Sequence, residues 1–180
     1  MTENPGEQGN YPQKLGSTMT ILAWLVFLGM LTMVFGNFLD RQTNPNSKVA
    51  SLTSADGIEV VLEQNRGGHY VATAAFNGTP VDVIVDTGAT DVSVPAGIAD
   101  RIGLTRGPMM EVSTANGNIP VYATVIDTIR LGELVLHNIR ASINPYMDEE
   151  FVLLGMSFLK QVEFSQRQGQ LILRQHNNQL

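Results

Sequence analysis

Read from its N-terminus, the chain passes from a polar stretch to a long apolar one and back to a polar one. Residues 1–14 (MTENPGEQGNYPQK) hold Pro, Gly, Asn and Gln with almost nothing to bury, which predicts a disordered tail. From Leu15 to Leu39, 25 positions carry no charge. As a helix rising about 1.5 Å per residue, that stretch exceeds the roughly 30 Å hydrocarbon thickness of a bilayer. A buried core helix seldom runs so far without a charge. A cleaved signal peptide has a shorter apolar region, and no small-x-small cleavage site follows closely here. An uncleaved transmembrane helix over 15–39 is expected. Lys14 on one flank against Arg41 and Lys48 on the other nearly balances the positive-inside count, so charge does not orient the span. Residues 40–57, with Pro45 and several Asn and Ser, predict a linker.

The remainder, 58–180, changes period. Short apolar runs alternate with turn signals: Ile58–Leu62, His69–Phe76, Val81–Val85, Val92–Val94, Met109–Thr114, Ile119–Ile126, Leu134–Ile143, Phe151–Leu154, Val162–Phe164 and Leu171–Leu173. Asn77-Gly78 and Asn116-Gly117 are hairpin signals. Pro95 can open a short helix that Gly103 stops, and Met156–Gln161 can form a helical turn. No fixed-period repeat occurs. The pattern predicts an all-β, closed unit with a short helix or two, preceded by one membrane helix.

Composition narrows the chemistry. The 180 residues hold 11 Lys and Arg against 17 Asp and Glu, a net charge of −6, which argues against a nucleic-acid binder that tracks phosphates. Without cysteine there is no disulfide, thiolate metal site or cysteine nucleophile. His69, His137 and His176 lack ligand-like spacing, so no metal is expected, and no cofactor motif stands out. Ser93 and Ser113 have no nucleophile-elbow setting, and Gly67-Gly68 lacks the strand–glycine–helix context of a phosphate loop. Asp148-Glu149-Glu150 reads as solvated surface, and Met109-Met110 as core or hairpin-base packing.

One segment carries chemistry. The apolar run Val81–Val85, broken only by Asp82, delivers Asp86 onto Thr87-Gly88-Ala89-Thr90, and a second strand follows at once. An ionised Asp at the end of a buried strand is costly unless donors compensate it. Gly88 lets the backbone approach and turn its amides toward the carboxylate. The tripeptide alone is a common turn composition; its strand–turn–strand–helix context gives it weight. A matching piece lies downstream, where Phe151–Leu154 ends on Gly155 and a helical turn.

These features resemble the retropepsin-like aspartic proteases, particularly the small membrane-anchored bacterial group, over roughly Arg66 to Arg174. Asp86-Thr87-Gly88-Ala89 matches the catalytic motif of that family, and Leu153-Leu154-Gly155 its hydrophobic-hydrophobic-Gly signature, which packs beneath the catalytic loop. The resemblance implies that Asp86 is catalytic and that Thr87, Gly88 and Ala89 support its loop. It implies a substrate-covering hairpin, the flap, with Thr114, Ala115, Asn116 and Gly117 at its tip. Two positions depart from the retroviral pattern. Thr90 stands where those enzymes carry Asp, and Met156 where they carry Arg; there the two residues tie the dimer together, and Asp91 is a candidate substitute.

Peptide hydrolysis by this route uses two carboxylates, one taking a proton from the attacking water while the other gives one to the carbonyl oxygen. The chain has a single Asp-Thr-Gly. The resemblance therefore implies a homodimer in which each copy supplies one Asp86, one lobe of the acid-protease barrel per chain. It further implies an extended polypeptide substrate, and an inner-membrane location with the catalytic domain on the periplasmic side. A flexible 40–57 would let two tethered domains turn toward each other. The rival expectation is a catalytically silent, membrane-tethered peptide-binding module on the same fold.

Overall fold

The computed structural model describes residues 11–114, 117–148 and 150–176. The chain divides into two compact units at Asp40–Arg41. The first carries most of helix α1 (Tyr11–Thr43), which overruns the expected 15–39 by four residues at each end. Helical hydrogen bonding propagates readily through Gln, Lys and Arg, and Pro12 sits in the first turn, where its missing N–H costs nothing. Of the expected disordered tail over 1–14, residues 1–10 lie outside the described residues. Side chains such as Ile21, Trp24, Phe27 and Met33 all stand exposed around α1. The helix is long and apolar enough to cross a membrane.

The second unit is all-β with two short helices. Its strands are β1 (Ala50–Ser54), β2 (Gly57–Glu63), β3 (Val71–Phe76), β4 (Thr79–Val85), β5 (Val92–Pro95), β6 (Met109–Thr114), β7 (Gly117–Leu131), β8 (Leu134–Asn144), β9 (Phe151–Leu154), β10 (Glu163–Arg167) and β11 (Gln170–His176). Helices α2 (Ala96–Arg101) and α3 (Met156–Leu159) follow β5 and β9. One sheet runs β3-β4-β9-β5-β8-β7-β6, and β3 also pairs with β7 at Ala75↔Arg130 and Phe76↔Ile129, bringing the sheet back on itself. The other runs β1-β2-β11-β10.

The pleat explains the core. Along β4, Val81 and Val83 are buried while Asp82 is exposed, the alternation of a strand with one face inside. Phe76, Ile126, Ile129, Leu131, Leu134, Ile139, Ile143, Leu154 and Phe158 are fully buried, each contributing about 1.5–3 kcal/mol by leaving water. Asn77 and Gly78 both take positive φ at the β3–β4 turn, as the Asn-Gly signal predicts.

The linker expected over 40–57 needs correction, because from Arg41 the chain belongs to the folded unit. Asn46 is 4% exposed. Its side-chain amide donates to the carbonyls of Glu63 (2.9 Å) and Val71 (2.7 Å), and its Oδ1 accepts the Glu63 amide at 2.8 Å. Its own carbonyl accepts the Thr73 amide at 3.2 Å. Asn44 donates to Asp82 Oδ1 and to Thr73 Oγ1, both at 3.0 Å. These amides satisfy backbone groups that the strands leave open, so residues that read as solvated are held inside. β1 then pairs along its length with β2, from Ala50↔Val61 to Ser54↔Gly57.

Candidate active site

Asp86 follows directly on the last residue of β4. Its amide donates to the Leu154 carbonyl at 3.2 Å, continuing the parallel β4–β9 pairing, and its carbonyl accepts the Ala89 amide at 3.3 Å. Its carboxylate does not turn back into the core. Oδ1 accepts the Gly88 amide at 2.8 Å, and the group stays half-buried. A side chain on Gly88 would approach that oxygen at 3.1 Å, so glycine keeps the approach open. The result is a carboxylate with one oxygen held by a backbone donor on a rigid strand end. Thr87 and Gly88 beside it are exposed. The Thr87 hydroxyl makes no hydrogen bond among the described residues.

The loop is fastened from below. β9 lies between β4, to which it runs parallel, and β5, to which it runs antiparallel at Ser93↔Leu153. After it, the Met156 amide donates to the Ala89 carbonyl (2.8 Å) and the Ser157 amide to the Thr90 carbonyl (3.0 Å). At Gly155 there is no room for a side chain: a Cβ would meet the carbonyl oxygens of Asp91 and, at 2.7 Å, Ala89. The glycine is thus needed for close approach rather than for an unusual φ, since its φ is −87°.

Two side chains that the sequence reading passed over complete this fastening. The Ser157 hydroxyl accepts the Val92 amide at 3.0 Å and donates to the Arg140 carbonyl at 2.7 Å, stapling β5 and β8 to α3. Arg140 Nε pairs with Asp91 Oδ1 at 2.7 Å, with Asp91 largely covered. Asp91 is therefore engaged within its own chain. Serine two residues after a strand-ending glycine was a readable signal for Ser157; nothing local marked Arg140, which lies 49 residues from its partner.

A hairpin, β6–β7, stands at the expected place in the chain. β6 and β7 pair from Met109↔Tyr122 to Thr114↔Gly117, and Thr114 Oγ1 donates to the Gly117 carbonyl at 2.7 Å. Gly117 adopts φ 111°, open to glycine alone without strain. Ala115 and Asn116, expected at the tip, lie outside the described residues. Most β6 side chains are exposed, Met109 included, so that methionine is not core packing. Facing the same side of the sheet as Asp86 are Ile84 and Leu153, register partners that are each half-buried, leaving an apolar floor beside the carboxylate. A cleft of about 620 Å³ bounded by Thr73, Asp82, Arg101 and Met147 does not include Asp86.

Comparison with known proteins agrees with this geometry. Residues 72–161 match the model of the family described as "gag-polyprotein putative aspartyl protease". The chain belongs to that family of aspartyl proteases. A Sinorhizobium sp. protein described as "Uncharacterized protein in cobV 5'region" is 33% identical over 144 residues, covering 78% of this chain and 62% of its own. An uncharacterized protein of Rickettsia prowazekii (strain Madrid E) is 25% identical over 105 residues, 57% of this chain and 45% of its own. The chain thus spans under two-thirds of the length of these relatives. Among solved structures, a retropepsin-like aspartic protease from Rickettsia conorii superposes with TM-score 0.54 at 24% identity, over 71% of this chain and 95% of that one. The fold is retropepsin-like.

Proposed function

We propose that the protein is a membrane-anchored aspartic endopeptidase, active as a homodimer in which Asp86 of each copy flanks one water molecule. The observation that carries this reading is Asp86 itself, a carboxylate set at a strand end, one oxygen held by the Gly88 amide, on a loop that Gly155 and Ser157 lock from beneath. A binding module would have no need of such fixation. One carboxylate would take a proton from water as it attacks the peptide carbonyl, and the other would protonate the carbonyl oxygen. Both roles need two acids, and the chain supplies one in this setting, so the second copy completes the site. The exposed Thr87 would brace the two loops against each other.

Substrate would lie extended over Ile84 and Leu153, with the β6–β7 hairpin above it, offering main-chain partners in the manner of strand addition. Hairpin closure would order the peptide and exclude bulk water. The N-terminal helix would confine copies to one surface, the bacterial inner membrane with the domain on the periplasmic side, and raise their effective concentration.

The test is to incubate the purified protein, beside Asp86→Asn, with an unfolded polypeptide across mildly acidic to neutral pH. Cleavage by the native protein alone is expected. Equal cleavage by both forms removes the reading, and cleavage by neither leaves a peptide-binding module as the better account. For topology, a C-terminal alkaline phosphatase fusion should be active only if the domain is exported.

A further inference from the structure

The loop that presents Asp86 at one end holds a second carboxylate, Asp91, at the other. The Asp91 side chain is only 12% exposed, and its Oδ1 meets Arg140 Nε at 2.7 Å. Arg140 is the reverse, with 69% of its side chain open to solvent. Of its N–H donors only Nε is engaged; Nη1 and Nη2 have no partner among the described residues. Its backbone is fixed as well, since its carbonyl accepts the Ser157 hydroxyl at 2.7 Å. The ion pair is not needed to join β5 to β8, which already pair from Val92↔Ala141 to Pro95↔Asn144. A covered carboxylate thus aims an exposed guanidinium.

Strand register puts that guanidinium on the face that carries the acid. Ile84 pairs with Leu153, Leu153 with Ser93, and Ser93 with Ser142, so all share the face of Asp86. Asp91 and Arg140 lie two residues before Ser93 and Ser142 along the chain and return to that face. Crossing from β4 through β9 and β5 to β8 takes three strand spacings, about 14 Å from Asp86 to Arg140. An extended peptide covers that span in about four residues, and the length of the arginine side chain shortens the count. Val125, register partner of Arg140 and 53% exposed, stands beside it as an apolar wall.

We propose that Arg140 sets substrate specificity by receiving an acidic side chain, Glu or Asp, about three or four positions from the bond to be cut. Asp91 is then the residue that positions it. This role rests on the peptide path proposed above. A peptide that crosses Ile84 and Leu153 toward β5 and β8 passes Ser93 and comes to the guanidinium. The two Nη groups match the two oxygens of a carboxylate, a planar fork that lysine lacks and a neutral amide does not satisfy. The substrate class is therefore a polypeptide with apolar residues at the cut and an acid a short way off. In a two-fold dimer a second Arg140 stands on the other side of the bond, so an acid is favoured on either side.

Binding is measured on the full-length Asp86→Asn protein in detergent, so that no peptide is consumed. The probes are fluorescein-labelled peptides with a Leu-Phe centre flanked by Gln, in which single Gln residues are replaced in turn by Glu. Glu at the stated distance from the centre should lower Kd about tenfold relative to Gln, and high salt should erode that gain. Adding Arg140→Gln should abolish it. Arg140→Lys keeps a cation beside Asp91 and guards against misfolding; its gain should shrink to about threefold. No gain at any position with Arg140 intact, or a gain unchanged in either variant, overturns the role of Arg140. The native protein is tested for cleavage of the same peptides. Cleavage with no Glu gain removes the Arg140 role and leaves the protease reading standing. A Glu gain in binding with no cleavage keeps the Arg140 role and removes the protease reading.

Discussion

The chemistry of the molecule rests on a few side chains whose identities are set by space and by hydrogen-bond capacity. Asp86 differs from Asp82, four residues earlier on the same face, only in its setting. Asp82 is tied by Thr73 Oγ1 at 2.6 Å and by Asn44, whereas Asp86 is held on one oxygen by the Gly88 backbone amide. Asp86→Asn should therefore leave the unfolding temperature unchanged while peptide cleavage drops by about 10²–10⁴-fold or more, as measured on an unfolded polypeptide. Asp82→Asn should leave cleavage largely intact. Gly155→Ala tests the floor beneath the loop. The added methyl must displace the Ala89 and Asp91 carbonyls, so a loss of about 1–3 kcal/mol in thermal or chemical unfolding is expected, with reduced cleavage.

Between elements, the Asn44–Asn46 segment does what a strand would otherwise do, linking β2, β3 and β4 through amide side chains. Asn46→Ala removes three side-chain hydrogen bonds and strands their buried partners, with an expected cost of about 2–4 kcal/mol in the unfolding midpoint. Asn46→Asp would place a carboxylate against the Glu63 and Val71 carbonyls and should be as damaging. This segment shows where sequence reading runs out. Period-two alternation and Asn-Gly turns made β3, β4, β6 to β9 and their hairpins legible, and Asp86-Thr87-Gly88 with Leu153-Leu154-Gly155 made the loop and its floor legible together. Asn44, Pro45 and Asn46 have the composition of solvated chain, and their burial depends on unpaired backbone groups 17 to 25 residues away. β1, Ala-Ser-Leu-Thr-Ser, offers one large apolar side chain and exists because β2 presents an edge to it. Arg140 reads as an ordinary strand charge until β8 is laid beside β5, bringing Asp91 within reach.

At the scale of the whole molecule, the proposed mechanism would make activity a property of pairs, because each chain has a single Asp-Thr-Gly. Specific activity should fall on dilution of a soluble form lacking residues 1–40, and recover with concentration; the full chain in lipid should resist the same dilution. Cleavage per chain that stays flat through the dimer dissociation range would contradict this. The order in which the site is built carries one last consequence. The loop at Asp86 takes its shape from β9 and α3, which lie some 65 residues further along, and the Ser157 hydroxyl adds a tie to β5 and β8 through Val92 and Arg140. A nascent polypeptide emerging from the ribosome therefore holds its acid long before it holds the scaffold that aims it. On the proposed mechanism, then, no peptide could be cut until β9 and α3 have been made and folded beneath the loop.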